Sequence, residues 1–150
     1  MAHSYVSSYF HCVFSTKSRR KLMPPEMRQR LWPYLGGIAR KNKTRALRVG
    51  GTDDHVHVLL SLPSTMAIAK AVQLMKGGSS KWINEELAAG ARFEWQEGYG
   101  AFSVGISDIA RTTEYISNQE EHHRRQTFEE EFVAFLEKHG IEFDRRYVFG

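Results

Sequence analysis

The spacing of apolar positions divides the chain into strands and helices. Residues 4–14, Ser-Tyr-Val-Ser-Ser-Tyr-Phe-His-Cys-Val-Phe, are rich in aromatic and β-branched residues and poor in helix formers. They predict a first strand with Tyr5, Tyr9, His11 and Val13 on one face and Val6, Phe10, Cys12 and Phe14 on the other. Pro24-Pro25 opens a helix, where a missing N–H costs nothing, and Met27, Leu31, Leu35 and Ile38 form its apolar stripe. Pro33 and Gly36-Gly37 fall inside this helix and predict a kink. Arg45 to Gly51 reads as a second strand, turning through Gly50-Gly51-Thr52-Asp53 into Asp53-Asp54-His55-Val56-His57-Val58-Leu59-Leu60. That run of Val and Leu, stopped by Pro63, reads as a buried strand. Successive side chains point to opposite faces, so His55 and His57 emerge together while Val56, Val58 and Leu60 enter a core.

Ser64 or Thr65 can cap a helix with Ile68, Val72 and Met75 inside. Lys76-Gly77-Gly78-Ser79-Ser80-Lys81 is expected to interrupt it, with Trp82, Ile83 and Leu87 on a following helix that Gly90 ends. Phe93-Glu94-Trp95 and Tyr99 to Gly105 read as one or two short strands around a turn at residues 96–98. Ser107 or Asp108 then caps a long helix to about Gln126, with Ile109, Thr112 and Ile116 inward. Thr127 caps a last amphipathic helix, Phe128 to His139, bearing Phe132, Phe135 and Leu136 and stopped by Gly140. The tail through Tyr147-Val148-Phe149 can dock on a neighbour. Hairpins mixed with crossover helices predict an α+β fold, a sheet with helices packed on one face.

Length and composition narrow the class. At 150 residues, 1–150 is expected to form a single domain, with no apolar run of membrane-spanning length and no signal peptide at Met1-Ala2-His3-Ser4-Tyr5. Cys12 is the only cysteine, which excludes an intrachain disulfide and fits a reducing, cytoplasmic setting. The net charge of +4 conceals an asymmetry: residues 1–50 hold eleven Lys/Arg against Glu26 alone, a balance of +10, and residues 101–150 come to −4. A basic first third suits a polyanion, nucleic acid first, although a solvated basic surface gives the same pattern. No phosphate-cradling glycine loop of the Walker type is present, which argues against a nucleotide cofactor.

Two side-chain groups carry candidate chemistry. His55 and His57 are either two ligands of a metal site or imidazoles satisfied by backbone and water. Tyr115 and Gln119, four apart, share a helix face. A tyrosine can act as a covalent nucleophile, and a glutamine carbonyl can complete a hard-cation site begun by two imidazoles. His55, His57 and Gln119 would then leave positions open for water and a phosphate oxygen. His122, at i+7 from Tyr115, is either a further ligand or proton carrier or, more simply, a helix-end histidine favoured by the dipole.

His55-Val56-His57 after Asp53-Asp54, with Tyr115 and Gln119 behind, resembles the HUH single-tyrosine transposases, small insertion-sequence enzymes acting on single-stranded DNA. Phe14-Ser15-Thr16-Lys17-Ser18-Arg19-Arg20, the Lys76–Ser80 stretch and Gly98-Tyr99-Gly100-Ala101-Phe102-Ser103-Val104-Gly105 resemble that family too. The resemblance implies a ferredoxin-like, dimerising domain with a C-terminal tyrosine-bearing helix. In it, Tyr115 forms a 5′-phosphotyrosine link, and His55, His57 and Gln119 hold Mg2+ or Mn2+. It also implies recognition of DNA hairpins at the element ends. In that scheme Arg19, Arg20, Lys21, Lys43, Arg45, Lys76, Ser79 and Ser80 are candidates to contact DNA phosphates. Rolling-circle initiators and relaxases fit less well: the former commonly carry a lysine a few residues after the tyrosine, where Asn118 and Gln119 stand here. The latter usually place the tyrosine before the histidine pair. A domesticated relative that binds, and nicks or does not nick, repeat hairpins remains the alternative, as does a non-catalytic nucleic-acid-binding module.

Overall fold

The computed structural model describes residues 3–87 and 92–149. Four strands, β1 (Tyr9–Ser15), β2 (Arg45–Gly51), β3 (His55–Ser61) and β4 (Gly100–Val104), form one antiparallel sheet in the order β2-β3-β1-β4. Helix α1 (Pro25–Lys41) joins β1 to β2, and α2 (Ile68–Trp82) joins β3 towards β4. This is the βαββαβ ferredoxin-like arrangement, an α+β fold as the sequence predicts. No helix among the described residues is long and apolar enough to cross a membrane.

The two crossover helices cover one face. Cys12, Phe14, Val56, Val58 and Leu60 of the central strands meet Leu31 and Leu35 of α1 and Val72 and Met75 of α2, all buried. The opposite face carries His11, Val13, His55 and His57, and is closed by the C-terminal helices. These are α3 (Ile109–Ser117), α4 (Gln119–His122) and α5 (Phe128–Lys138). Val13 and Phe102 pack there against Phe128 and Leu136 of α5, and Phe143, Val148 and Phe149 of the tail lie on the same cluster. The tail therefore docks on its own chain.

Several local expectations change. The first strand begins at Tyr9 rather than residue 4, because its partners run out: Tyr9 pairs with Ser61 on one side and Val104 on the other. Helix α1 continues as one element through Pro33. Helix α2 runs unbroken through residues 76–81. There Gly78 permits close helix packing, since a Cβ would lie 3.0 Å from Ile38 Cδ1. Ser79 Oγ donates to Met75 O (2.6 Å) and accepts from Trp95 Nε1 (2.9 Å). Trp82 closes α2, and Ile83–Leu87 continue it as a wide π turn; Gly90 lies outside the described residues. The N-cap of α2 is Ala67, with no side-chain bond from Ser64 or Thr65. The long helix expected to reach Gln126 stops at Ser117, where Asn118 (φ −105°, ψ 24°) breaks the helical path before α4. Thr127 caps α5 as the sequence predicts, in a capping box with Glu130.

Candidate active site

The site forms where β3 meets the C-terminal helices. Alternation on β3 turns His55 and His57 to one face, and Val56 pairing with Gly51 and Phe14 fixes that register. Both imidazoles are fully buried. His55 Nδ1 lies 2.8 Å from Asp54 Oδ1 and 3.1 Å from Thr52 Oγ1, leaving Nε2 free to face the helices. His57 Nδ1 lies 2.7 Å from His11 Nε2 on the neighbouring strand, which likewise aims His57 Nε2 at the helices.

Helices α3 and α4 deliver Tyr115 and Gln119 to that face. Gln119, buried, places Oε1 3.1 Å from His55 Nε2. Glu131, in the first turn of α5, occupies the centre. Its Oε1 lies 3.0 Å from His57 Nε2 and 3.2 Å from His123 Nε2. Its Oε2 accepts the phenolic hydrogen of Tyr115 and an amide hydrogen of Gln119 (3.2 Å). Tyr115, His55 and His57 thus converge within one chain. Every buried side-chain nitrogen and oxygen among the described residues has a partner.

Electrostatics follow from this packing. Burial lowers His57 to about 4, against the raising influence of Glu131. Burial, with the neighbouring His57, holds His11 well below its ordinary range. Burial alone would raise Glu131, but hydrogen bonds from His123 and His57 outweigh it and keep the carboxyl ionised far below the usual range. Tyr115 moves upward through burial and the adjacent Glu131 charge, so its phenol is held protonated. Burial opposes charge on His123, yet Glu131 raises it above the ordinary histidine value.

Three of these residues escape a reading of the sequence alone. Glu131 sits inside Glu129-Glu130-Glu131, which reads as a solvated helix start, yet its spacing from Phe128 and Phe135 places it on the apolar stripe. His123 follows Gln119 by four residues and reaches the site, with Nε2 3.0 Å from Gln119 Oε1. His122, the residue singled out by spacing from Tyr115, pairs with Gln126 (2.7 Å), lays its ring edgewise to Tyr115 and brings Nε2 to 3.5 Å from Glu131 Oε2 at the edge of the site. His11 was on the correct face but gave no sign of pairing with His57.

A divalent metal fits the donors present. His55, His57, His123 and Glu131 each offer one atom, all within 4.8 Å of one another. The Asp54 and His11 contacts at the far nitrogens of His55 and His57 are of the kind that orient metal-bound imidazoles.

The candidate DNA contacts divide. Arg20, Lys21, Lys43 and Arg45 are exposed, and Lys21 lines a cleft of about 500 Å3 that reaches His123. Arg19 is tied to Glu129 (2.8 Å) and lies over the Phe149 ring. Lys76 donates to Gln96 O and Gly98 O, holding that turn. Ser79 is fully buried and Ser80 bonds back to Gly77 O, and both stand in the last turn of α2 rather than at a helix start. Ser79 is therefore a packing residue and not a phosphate contact.

Comparison with known proteins identifies the family. The profile described as "Transposase IS200 like" matches residues 4–119, a span containing His55, His57, Tyr115 and Gln119. The chain is 28% identical over 125 residues to the transposase for insertion sequence element IS200 of Salmonella typhimurium, covering 79% of this chain and 81% of that one. It is 27% identical over 117 residues to the ISDra2 transposase TnpA of Deinococcus radiodurans, covering 73% and 82%. Its fold is similar to that of a REP-associated tyrosine transposase solved with a REP hairpin, with a TM-score of 0.61 at 13% identity over 82% of this chain and 73% of that one. The chain belongs to the IS200-like transposase family, the single-tyrosine enzymes that cleave and transfer DNA strands.

Proposed function

We propose that this protein cleaves and rejoins single-stranded DNA at insertion-sequence ends through a 5′-phosphotyrosine on Tyr115, in the cytoplasm and as a homodimer. The observation that carries the reading is the convergence of the Tyr115 phenol, the His55 and His57 imidazoles and the Gln119 carbonyl on one face of the sheet. The phenolic oxygen attacks the phosphorus, the bond to the 3′-oxygen breaks, and the leaving strand keeps a free 3′-hydroxyl. Attack of another 3′-hydroxyl on the tyrosine ester reverses the step and needs no nucleotide. Near neutrality the phenol is protonated. The nearest acceptor for its proton is Glu131 Oε2.

A divalent cation, magnesium or manganese, held by His55, His57 and Gln119 would neutralise charge on the scissile phosphate and orient it for in-line attack. Phosphates along the strand would meet Arg20, Lys21, Lys43 and Arg45, which position DNA without reading its sequence. Hairpins are the proposed form of the DNA; the REP-associated transposase of similar fold was solved with one.

The test is cleavage of hairpin-bearing single-stranded element ends with Mn2+ or Mg2+. Wild type is expected to cut and Tyr115→Phe not to cut. His57→Ala is expected to bind the hairpin in a gel shift yet leave it intact. Equal cleavage by Tyr115→Phe would remove the nucleophile, and equal cleavage by His57→Ala would remove the metal assignment.

A further inference from the structure

We propose that Glu131 and His123 are ligands of the same metal, which makes the site a mixed set of three imidazoles, a carboxylate and the Gln119 carbonyl. The inference rests on the metal reading above and extends it to two residues outside the family-matched span of 4–119. Bonds of about 2.1 Å place neighbouring ligands of one metal about 3.0–3.4 Å apart. Glu131 Oε1 lies 3.0 Å from His57 Nε2, 3.2 Å from His123 Nε2 and 3.7 Å from His55 Nε2. One carboxylate oxygen thus stands at nearly that spacing from three imidazole nitrogens, and all four donor atoms lie within 4.8 Å of one another.

The surroundings favour a cation over a simple hydrogen-bonded cluster. Glu131 and His57 are buried, and the Glu131 carboxylate faces imidazoles without an arginine or lysine partner among the described residues. Its position is built. The Thr127–Glu130 capping box fixes the first turn of α5, and Phe128 packs against the His55 ring at 4.7 Å. The two carboxylate oxygens are divided between tasks, Oε1 toward the imidazoles and Oε2 toward Tyr115 and Gln119.

The donor set also selects the ion. Magnesium prefers oxygen ligands and keeps its waters, whereas imidazoles with one carboxylate suit manganese, cobalt or zinc. A six-coordinate ion such as manganese still leaves room for a phosphate oxygen beside the five protein donors.

The experiment is Mn2+ titration of the full-length protein by EPR, with pulsed EPR counting the bound imidazole nitrogens. Far-UV circular dichroism confirms that each variant is folded. Wild type is expected to bind one Mn2+ with three imidazoles and to prefer it to Mg2+. Glu131→Gln, a near-isosteric change, and His123→Ala, on a partly exposed side chain, are each expected to weaken Mn2+ at least tenfold. His123→Ala should lower the imidazole count from three to two, and His57→Ala should lose the site. If Glu131→Gln and His123→Ala bind like wild type and wild type shows two imidazoles, the inference fails while the His55–His57–Gln119 site stands. If His57→Ala binds Mn2+ as wild type does, the underlying metal reading fails and takes this inference with it.

Discussion

Gly50→Ala tests whether α3 must sit where it does for Tyr115 to act. Gly50 is buried in β2 opposite His57, and the backbone of α3 rests directly on it. A methyl group there would overlap the Ile116 carbonyl oxygen and stand 2.9 Å from Ile116 Cγ2. Ordinary carbon contacts lie at about 3.5–4.0 Å, so α3 must retreat by about 1 Å. The obstruction is helix backbone, which cannot rotate away as a side-chain tip can. Ile116 adjoins Tyr115, so the retreat carries the phenol from the histidines. Overpacking of this kind costs about 1–3 kcal/mol of stability, and a displacement of about 1 Å at a reacting group costs about a hundredfold in rate. The assay is single-turnover cleavage of an element-end oligonucleotide, run beside thermal unfolding of the same preparation. Cleavage is expected to fall by about two orders of magnitude at temperatures where the variant remains folded. A Gly50→Ala protein with wild-type cleavage and wild-type melting would show that α3 does not pack on β2 as described.

Gly37→Ala is the contrasting substitution: its Cβ would meet nothing within 4 Å inside α1, so thermal unfolding should show a gain of about 0.5–1 kcal/mol. Leu35→Ala empties a fully buried position beneath the sheet and should cost about 2–5 kcal/mol by denaturant unfolding. In the metal-free protein His57 is neutral down to about 4 when folded, while the unfolded histidine protonates near its ordinary value of about 6.5. Unfolding therefore takes up a proton in this window, and stability falls as pH drops from about 6.5 to about 4, by up to about 3 kcal/mol. His11 acts in the same sense, and His123, shifted upward, partly opposes them. Denaturant midpoints measured in chelator across that range should decline, and a flat profile would contradict the buried neutral state. Hairpin affinity should fall steeply with salt, and Arg20→Ala or Lys21→Ala should each reduce the logarithmic slope by about one; an unchanged slope would take that residue off the DNA.

The sheet was legible because its signals are local and agree. Alternation in His55–Leu60 gives face and burial at once, and the pairing of β2 with β3 through Gly50-Gly51 follows from the short connection. Tyr115 and Gln119 were legible from helical spacing even though Asn118 ends α3 between them. The break at Asn118 was not, since a single asparagine in a polar stretch carries little signal. The Gly77-Gly78-Ser79-Ser80 run misled in the other direction. Glycine in a helix costs only about 1 kcal/mol, and the contacts of Gly78 with Ile38 and of Ser79 with Trp95 lie far apart in sequence. Glu131 and His123 were hidden for the same reason: what sets them apart is tertiary proximity to His57, and their local context is a charged helix end.

Peptide mapping of the protein–DNA adduct tests the central claim most directly. Wild-type protein incubated with a hairpin-bearing single strand and Mn2+ is digested with protease and nuclease, and the modified peptide is sequenced by mass spectrometry. A 5′-nucleotide should be found on the Tyr115 side chain. Its attachment to another residue, or cleaved DNA with no covalent adduct at any time point, would contradict the account.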